Sequence, residues 1–146
     1  MSNDSYHEQL RLEQNRFDGL LRELAHSLAP DAAATLIERK AFRFDGVAVE
    51  LRLDEHRGLV GLYIELCRPQ ASQELEVCRR VLEAQASQGT PAAWLVGRHP
   101  ASGILVLIAH TSSETFGPGR ASELMRRIES GIRIARGFSN ALLEGL

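Results

Sequence analysis

Asp45-Gly46 stands between two apolar runs, AFRF and VAVELRL, and constrains this chain more tightly than any other feature. A two-residue type I′ turn needs positive φ at both central positions, and Asp-Gly supplies them at low cost. The turn fixes register: Phe44 faces Val47, Phe42 faces Val49, and Lys40 faces Leu51. Phe42, Phe44, Val47, Val49, Leu51 and Leu53 then share one face, and Arg43, Ala48, Glu50 and Arg52 the other. The next turn, Asp54 to Arg57 followed by Gly58, brings Val60, Leu62, Ile64 and Leu66 to the apolar face. A slip of one residue would bury Glu65 instead, so that register is rejected. Ala41 to Leu66 therefore reads as a three-stranded antiparallel meander with one face that must be covered.

The flanking segments supply helices. Ser5 and Glu8 form a capping box, after which Leu10, Phe17, Leu21, Leu24 and Leu28 lie within about 60° of one another on a helical wheel. Pro30 is expected to stop this first helix, leaving Asp31 to Thr35 as an Ala-rich linker or a last loose turn. After Arg68-Pro69, a second helix is predicted from Ser72 to Ser87. It carries two apolar stripes: Ala71, Leu75, Cys78, Leu82 and Ala86 on one side, and Val77, Val81 and Ala84 roughly opposite. A helix that only covers a sheet needs one stripe, so two imply a sandwiched helix and a second copy of the chain. Val77, Val81 and Ala84 are assigned to that homodimer interface. Gln88 to Pro91 is a break, Ala93 to Val96 and Ile104 to Ala109 are two further strands, and Thr111 to Gly119 is a loop. A third helix follows, with Leu124, Ile128, Gly131, Ala135, Phe138 and Leu142 on one face. The order is α-β-β-β-α-β-β-α: an α+β fold in which three helices flank a twisted antiparallel sheet. One domain spans residues 1 to 146, with 1–4 and 144–146 frayed.

No part of this frame carries recognisable chemistry. His7, His26, His56, His99 and His110 form no HxxxH or HExxH pair, and no nucleophile elbow or phosphate-binding loop is present. Asp54-Glu55 sits at a hairpin tip, where water gives a carboxylate pair no reason to shift. Gly117-Pro118-Gly119 reads as a loop before a helix rather than an anion site. The arginines of the last helix (Arg120, Arg126, Arg127, Arg133 and Arg136) are interrupted by Glu123 and Glu129 and lack interleaved aromatics, which argues against single-strand nucleic-acid binding. Net charge is −2, so no bulk field draws the chain to nucleic acid or to an acidic membrane. Cys67 and Cys78 belong to no CxxC and read as reduced thiols. The N-terminal stretch is polar, and the longest apolar run, Gly103 to Ala109, is too short to span a bilayer. A cytoplasmic location, no cofactor, no metal and no catalysis are the expectations. What remains is equipment for holding another polypeptide: a sheet edge and apolar helix faces.

Four segments in order resemble the class I type III secretion chaperones of the Tir-chaperone family: FDGLLRELAHSLAP, the Asp-Gly meander, LEVCRRVLEAQ, and AAWLVGRHPASGILVLIAH, closed by the terminal helix. The resemblance covers about Phe17 to Leu143. It departs from the family at Ile37 to Lys40, at Leu66 to Pro69, at Gln85, and in having Phe138 where a late Trp is frequent. It implies a cytoplasmic homodimer that binds the N-terminal segment of a secreted effector, keeps it non-globular and delivers it to a secretion ATPase, without hydrolysing ATP itself.

On that reading the client segment adds as a strand at the open side of the first strand. Arg39, Lys40, Ala41, Phe42 and Phe44 are assigned to effector binding, with Leu20 of the first helix holding the client's apolar residues. Two other classes stay open: a regulatory module of the same fold that binds a transcription factor or antiactivator, and a small dimeric enzyme using His99 or His110 as base in a cleft at the dimer seam.

Overall fold

A computed structural model describes residues 3–87, 94–116 and 119–146. The elements are α1 (Asn3–Ala25), α2 (Pro30–Arg39), β1 (Ala41–Phe44), β2 (Val47–Asp54), β3 (Leu59–Cys67), α3 (Glu74–Ser87), β4 (Leu95–Arg98), β5 (Leu105–Ser112), a 3₁₀ turn (Ser113–Phe116) and α4 (Ala121–Leu143). The five strands form one antiparallel sheet in the order β1-β2-β3-β5-β4.

The Asp-Gly turn works as its chemistry dictates. Asp45 and Gly46 have φ of 49° and 78°, Phe44 pairs with Val47, and Phe42 pairs with Val49. The Leu51 N–H donates to the Lys40 carbonyl, extending the same ladder by one rung. On β3, Val60, Leu62 and Ile64 stand opposite Leu53, Leu51 and Val49. The inward face of the sheet, from Phe42 through Ile64 to Leu107, is buried beneath helices.

The segment expected to be a linker is instead the helix α2. Pro30 starts it, because a fixed φ and a missing N–H cost nothing in the first turn of a helix. Lys40, at φ 58°, ends it in the left-handed conformation, donating its N–H to the Leu36 carbonyl. Four helices therefore accompany the sheet, not three. The last strand also runs longer than expected, to Ser112. The expected break at Gln88 to Pro91, the residue Ala93 and the Gly117-Pro118 pair lie outside the described residues.

α4 crosses the sheet over β3. Gly131 permits the close approach: a β-carbon there would sit 2.7 Å from the Trp94 ring and would also clash with Ile64. Side-chain bonds then pin the helices to the strands. Arg136 of α4 donates to the Asp45 carbonyl at the hairpin tip. Arg80 of α3 donates to the Leu142 and Glu144 carbonyls at the end of α4, at 3.1 and 2.7 Å. Glu13, a carboxylate buried on the inner face of α1, accepts from the Gln9 amide at 3.1 Å and from the Ser113 hydroxyl, and pairs with the Arg16 guanidinium at 3.6 Å.

Candidate protein-docking surfaces

Among the described residues, two surfaces of the chain are left uncovered, one towards each end of the sheet. The first lies on the outward face, near β1. Alternation along the paired strands puts Ala41, Arg43, Ala48, Glu50, Tyr63, Glu65, Val106 and Ile108 on that face, with no helix over them. α2 and the turn after β4 flank it, through Ala32 and Thr35 on one side and His99 and Ser102 on the other. The result is a trough of about 730 Å³ with a mostly apolar lining. Arg52 lies over the Tyr63 ring, 5.0 Å from its centroid, and bonds Glu50 at 2.8 Å. That hydrogen bond holds the Arg52 guanidinium above its ordinary value.

β1 is the terminal strand on this side, with α2 packed alongside it. Since the Lys40–Leu51 rung is hydrogen-bonded, the rungs at Phe42 and Phe44 are too, and the backbone groups of Ala41 and Arg43 point away from β2. Of the side chains assigned to the client, Arg39 and Lys40 are exposed, while Ala41 and Phe44 are half-buried. Arg39, Ala41 and Phe42 border the trough. Lys40 places its ammonium 5.8 Å from the Phe17 ring centroid. Leu20 and Phe42 are committed to the core, 4% and 2% exposed, so their side chains are not free to hold a client. The geometry thus keeps the backbone of this strand and its cations available, but withdraws two of the apolar contacts.

The second surface is the outer side of α3, the helix packed near β4, the other terminal strand. Here the stripe assignment is corrected. Val77 is fully buried and Val81 nearly so, both inside the single chain, and Ala84 is half-buried. Leu75 and Leu82 are the outward residues, 85% and 68% exposed, with Cys78 half-buried between them. The physical reason is the path of the chain: α3 lies against α4, with Arg98 of β4 bonded to Glu74 at 2.6 Å, and this geometry turns the valine stripe inward. Leu95 on β4 is 61% exposed, but it pairs with Ile108 and so stands on the outward face of the sheet rather than beside the leucines of α3. Next to those leucines, Arg79 bridges Glu76 and Glu83, and Arg80 also bonds Glu76 at 3.2 Å. Hydrogen bonds from these two guanidinium groups hold the Glu76 carboxyl at about 2. Behind α3, burial pushes the Cys67 thiol up, against a hydrogen bond with Ser139 that pulls the other way.

Neither histidine considered as a base is set up as one. His99 uses Nδ1 to accept the Ser102 N–H at 3.2 Å, a bond that shapes its turn. His110 stands edge-on to Tyr63, with ring centroids 6.1 Å apart. Neither is bonded to a carboxylate among the described residues. Nor do those residues include a group of three or more His, Cys, Asp or Glu side chains placed to hold a metal ion. No described helix is long and apolar enough to cross a membrane.

The sequence reading missed the trough wall because it missed α2. The signals were there: Pro30 at a helix start, Asp31 in the first turn, and Leu36 spaced to reach the core. It also saw both stripes of α3, but a helical wheel cannot say which stripe faces in when both are apolar.

No family model and no curated protein matches the sequence. Among solved structures, the chain is similar to a chain in the crystal structure of the ExsC–ExsE complex, at 13% identity and a TM-score of 0.53, covering 73% of this chain and 77% of that one. At that identity the likeness is one of fold.

Proposed function

We propose that this protein is a chaperone of the type III secretion kind: a homodimer that holds a segment of a secreted effector in a non-globular state. The observation that carries this reading is the pairing of two unlike open surfaces on a fold without a catalytic constellation among its described residues. A trough beside a terminal strand suits a polypeptide that comes and goes. The leucine surface of α3 suits a lasting partner, and a second copy of the chain is the simplest one. The likeness of fold to a chain of the ExsC–ExsE complex supports the same reading, since that chain was crystallised in a complex of two proteins. Cytoplasmic residence and delivery to a secretion ATPase belong to the proposal.

The test has two parts. Light scattering on the purified chain should give twice the mass of one chain. Co-purification from the native host, with mass spectrometry, should recover a larger protein through a segment near its N-terminus, encoded beside this chain. A monomer that recovers only metabolic enzymes, or nothing, would overturn the reading.

A further inference from the structure

The floor of the trough holds a charge that apolar docking leaves unexplained. Glu65 of β3 faces outward opposite Val106, half-buried, beside the register irregularity between Glu65 and Cys67. Glu50, the other carboxylate of the floor, is bonded by Arg52. Glu65 has no ion-pair or hydrogen-bond partner among the described residues. The nearest cation on its row is Arg43, two strands and about 10 Å of backbone away. The Arg43 guanidinium donates to the Gly46 carbonyl at 2.7 Å. Filling the trough with apolar atoms would strip water from Glu65 and leave a lone carboxylate, which is costly. A ligand that brings its own cation avoids that cost.

We propose that Glu65 selects the client: the bound segment carries an arginine or lysine, flanked by apolar residues, that pairs with this carboxylate on the trough floor. The inference rests on the reading that the trough holds a client polypeptide. Arginine fits better than lysine, because its planar fork can meet both carboxylate oxygens. The apolar flanks meet Ala48, Val106 and Ile104, which border the trough around Glu65.

A phage-displayed peptide library panned against the full chain and its variants tests this. The native chain should enrich peptides with Arg or Lys between apolar residues. Glu65→Lys should enrich Asp or Glu at that place. Ala48→Trp, which fills the trough from the outward face, should lose the peptides. Replacing the Arg of an enriched peptide by Gln should weaken binding to the native chain about tenfold, while Glu65→Gln, the variant least able to disturb folding, should bind both peptides alike. Identical peptides from native and Glu65→Lys chains would overturn the selection and leave polypeptide binding standing. Peptides retained by Ala48→Trp would place the site elsewhere and overturn the inference. A library that yields no peptide would overturn both the inference and the reading beneath it.

Discussion

At one end of the sheet, β1 is short, rimmed by Arg39 and Arg43, and has α2 packed beside it. At the other end, β4 is just as short, but Leu95 on it and Leu75 and Leu82 on the neighbouring α3 are exposed to water. Both are strand edges, and every sheet that does not close must protect such edges from chance pairing. The first end uses charge and a helix, which keep it soluble between encounters. The second exposes apolar surface, which suits a permanent neighbour. On the proposed reading, the contrast separates a surface for exchange from a surface for assembly, at opposite ends of one small sheet.

The sharpest way to break the contrast is to charge the assembly surface. Leu75→Glu combined with Leu82→Glu should convert the dimer to a folded monomer, read by light scattering and circular dichroism. An unaltered dimer would move the interface away from α3. Next in size is a core deletion on the same helix. Val77→Ala should cost about 2 kcal/mol of protomer stability by denaturant titration, while Leu82→Ala costs the protomer almost nothing and weakens association. Val81→Glu, which would probe an interface if the valine stripe faced outward, should instead unfold the chain by burying a carboxylate. At the exchange end, Arg43→Pro removes an edge N–H that points away from β2. It should weaken peptides bound along β1 about fivefold, the worth of one hydrogen bond, and leave the dimer intact. Unchanged affinity would confine the client to the trough floor.

The smallest effect tests the charge network beside the leucines. Glu76 is held at about 2, below its ordinary 4.5, so it adds stability that is fully present above 4.5 and lost as pH falls toward 2. The denaturation midpoints of the native chain and Glu76→Gln should therefore differ at neutral pH and converge near pH 2. A constant gap across that window would show that the network contributes no linkage.

The meander was legible in the sequence to the level of individual rungs because a two-residue turn leaves no freedom: Phe42 against Val49 follows from Asp45-Gly46 alone. The stripe of the last helix was legible for a similar reason, since Leu124, Ile128, Gly131, Ala135 and Leu142 are periodic and are buried as their spacing requires. Two things were not legible. Pro30 can stop one helix or start another, and only the packing of Leu36 into the core decides between them. The facing of α3 depends on how α3 meets α4 and β4, which are distant in sequence, so both of its stripes looked equally fit for the interior. The exposed leucines lie on the helix to which the sequence assigned the dimer surface, but on its other side, and the strand proposed for the client is an end of the sheet.

The strand order also carries a kinetic consequence. β1, β2 and β3 close through short turns, so their contacts are local and form early. β5 reaches β3 only after the whole of α3 and β4 has been made, and β4 pairs with β5 alone. The rate-limiting event in folding should therefore be the docking of the β4–β5 hairpin onto the waiting meander. During synthesis a nascent chain that has not reached Leu105 holds β3 with a bare edge and with Leu62 and Ile64 uncovered by α4. Ribosome pausing in that interval would be the most aggregation-exposed moment in the life of this protein.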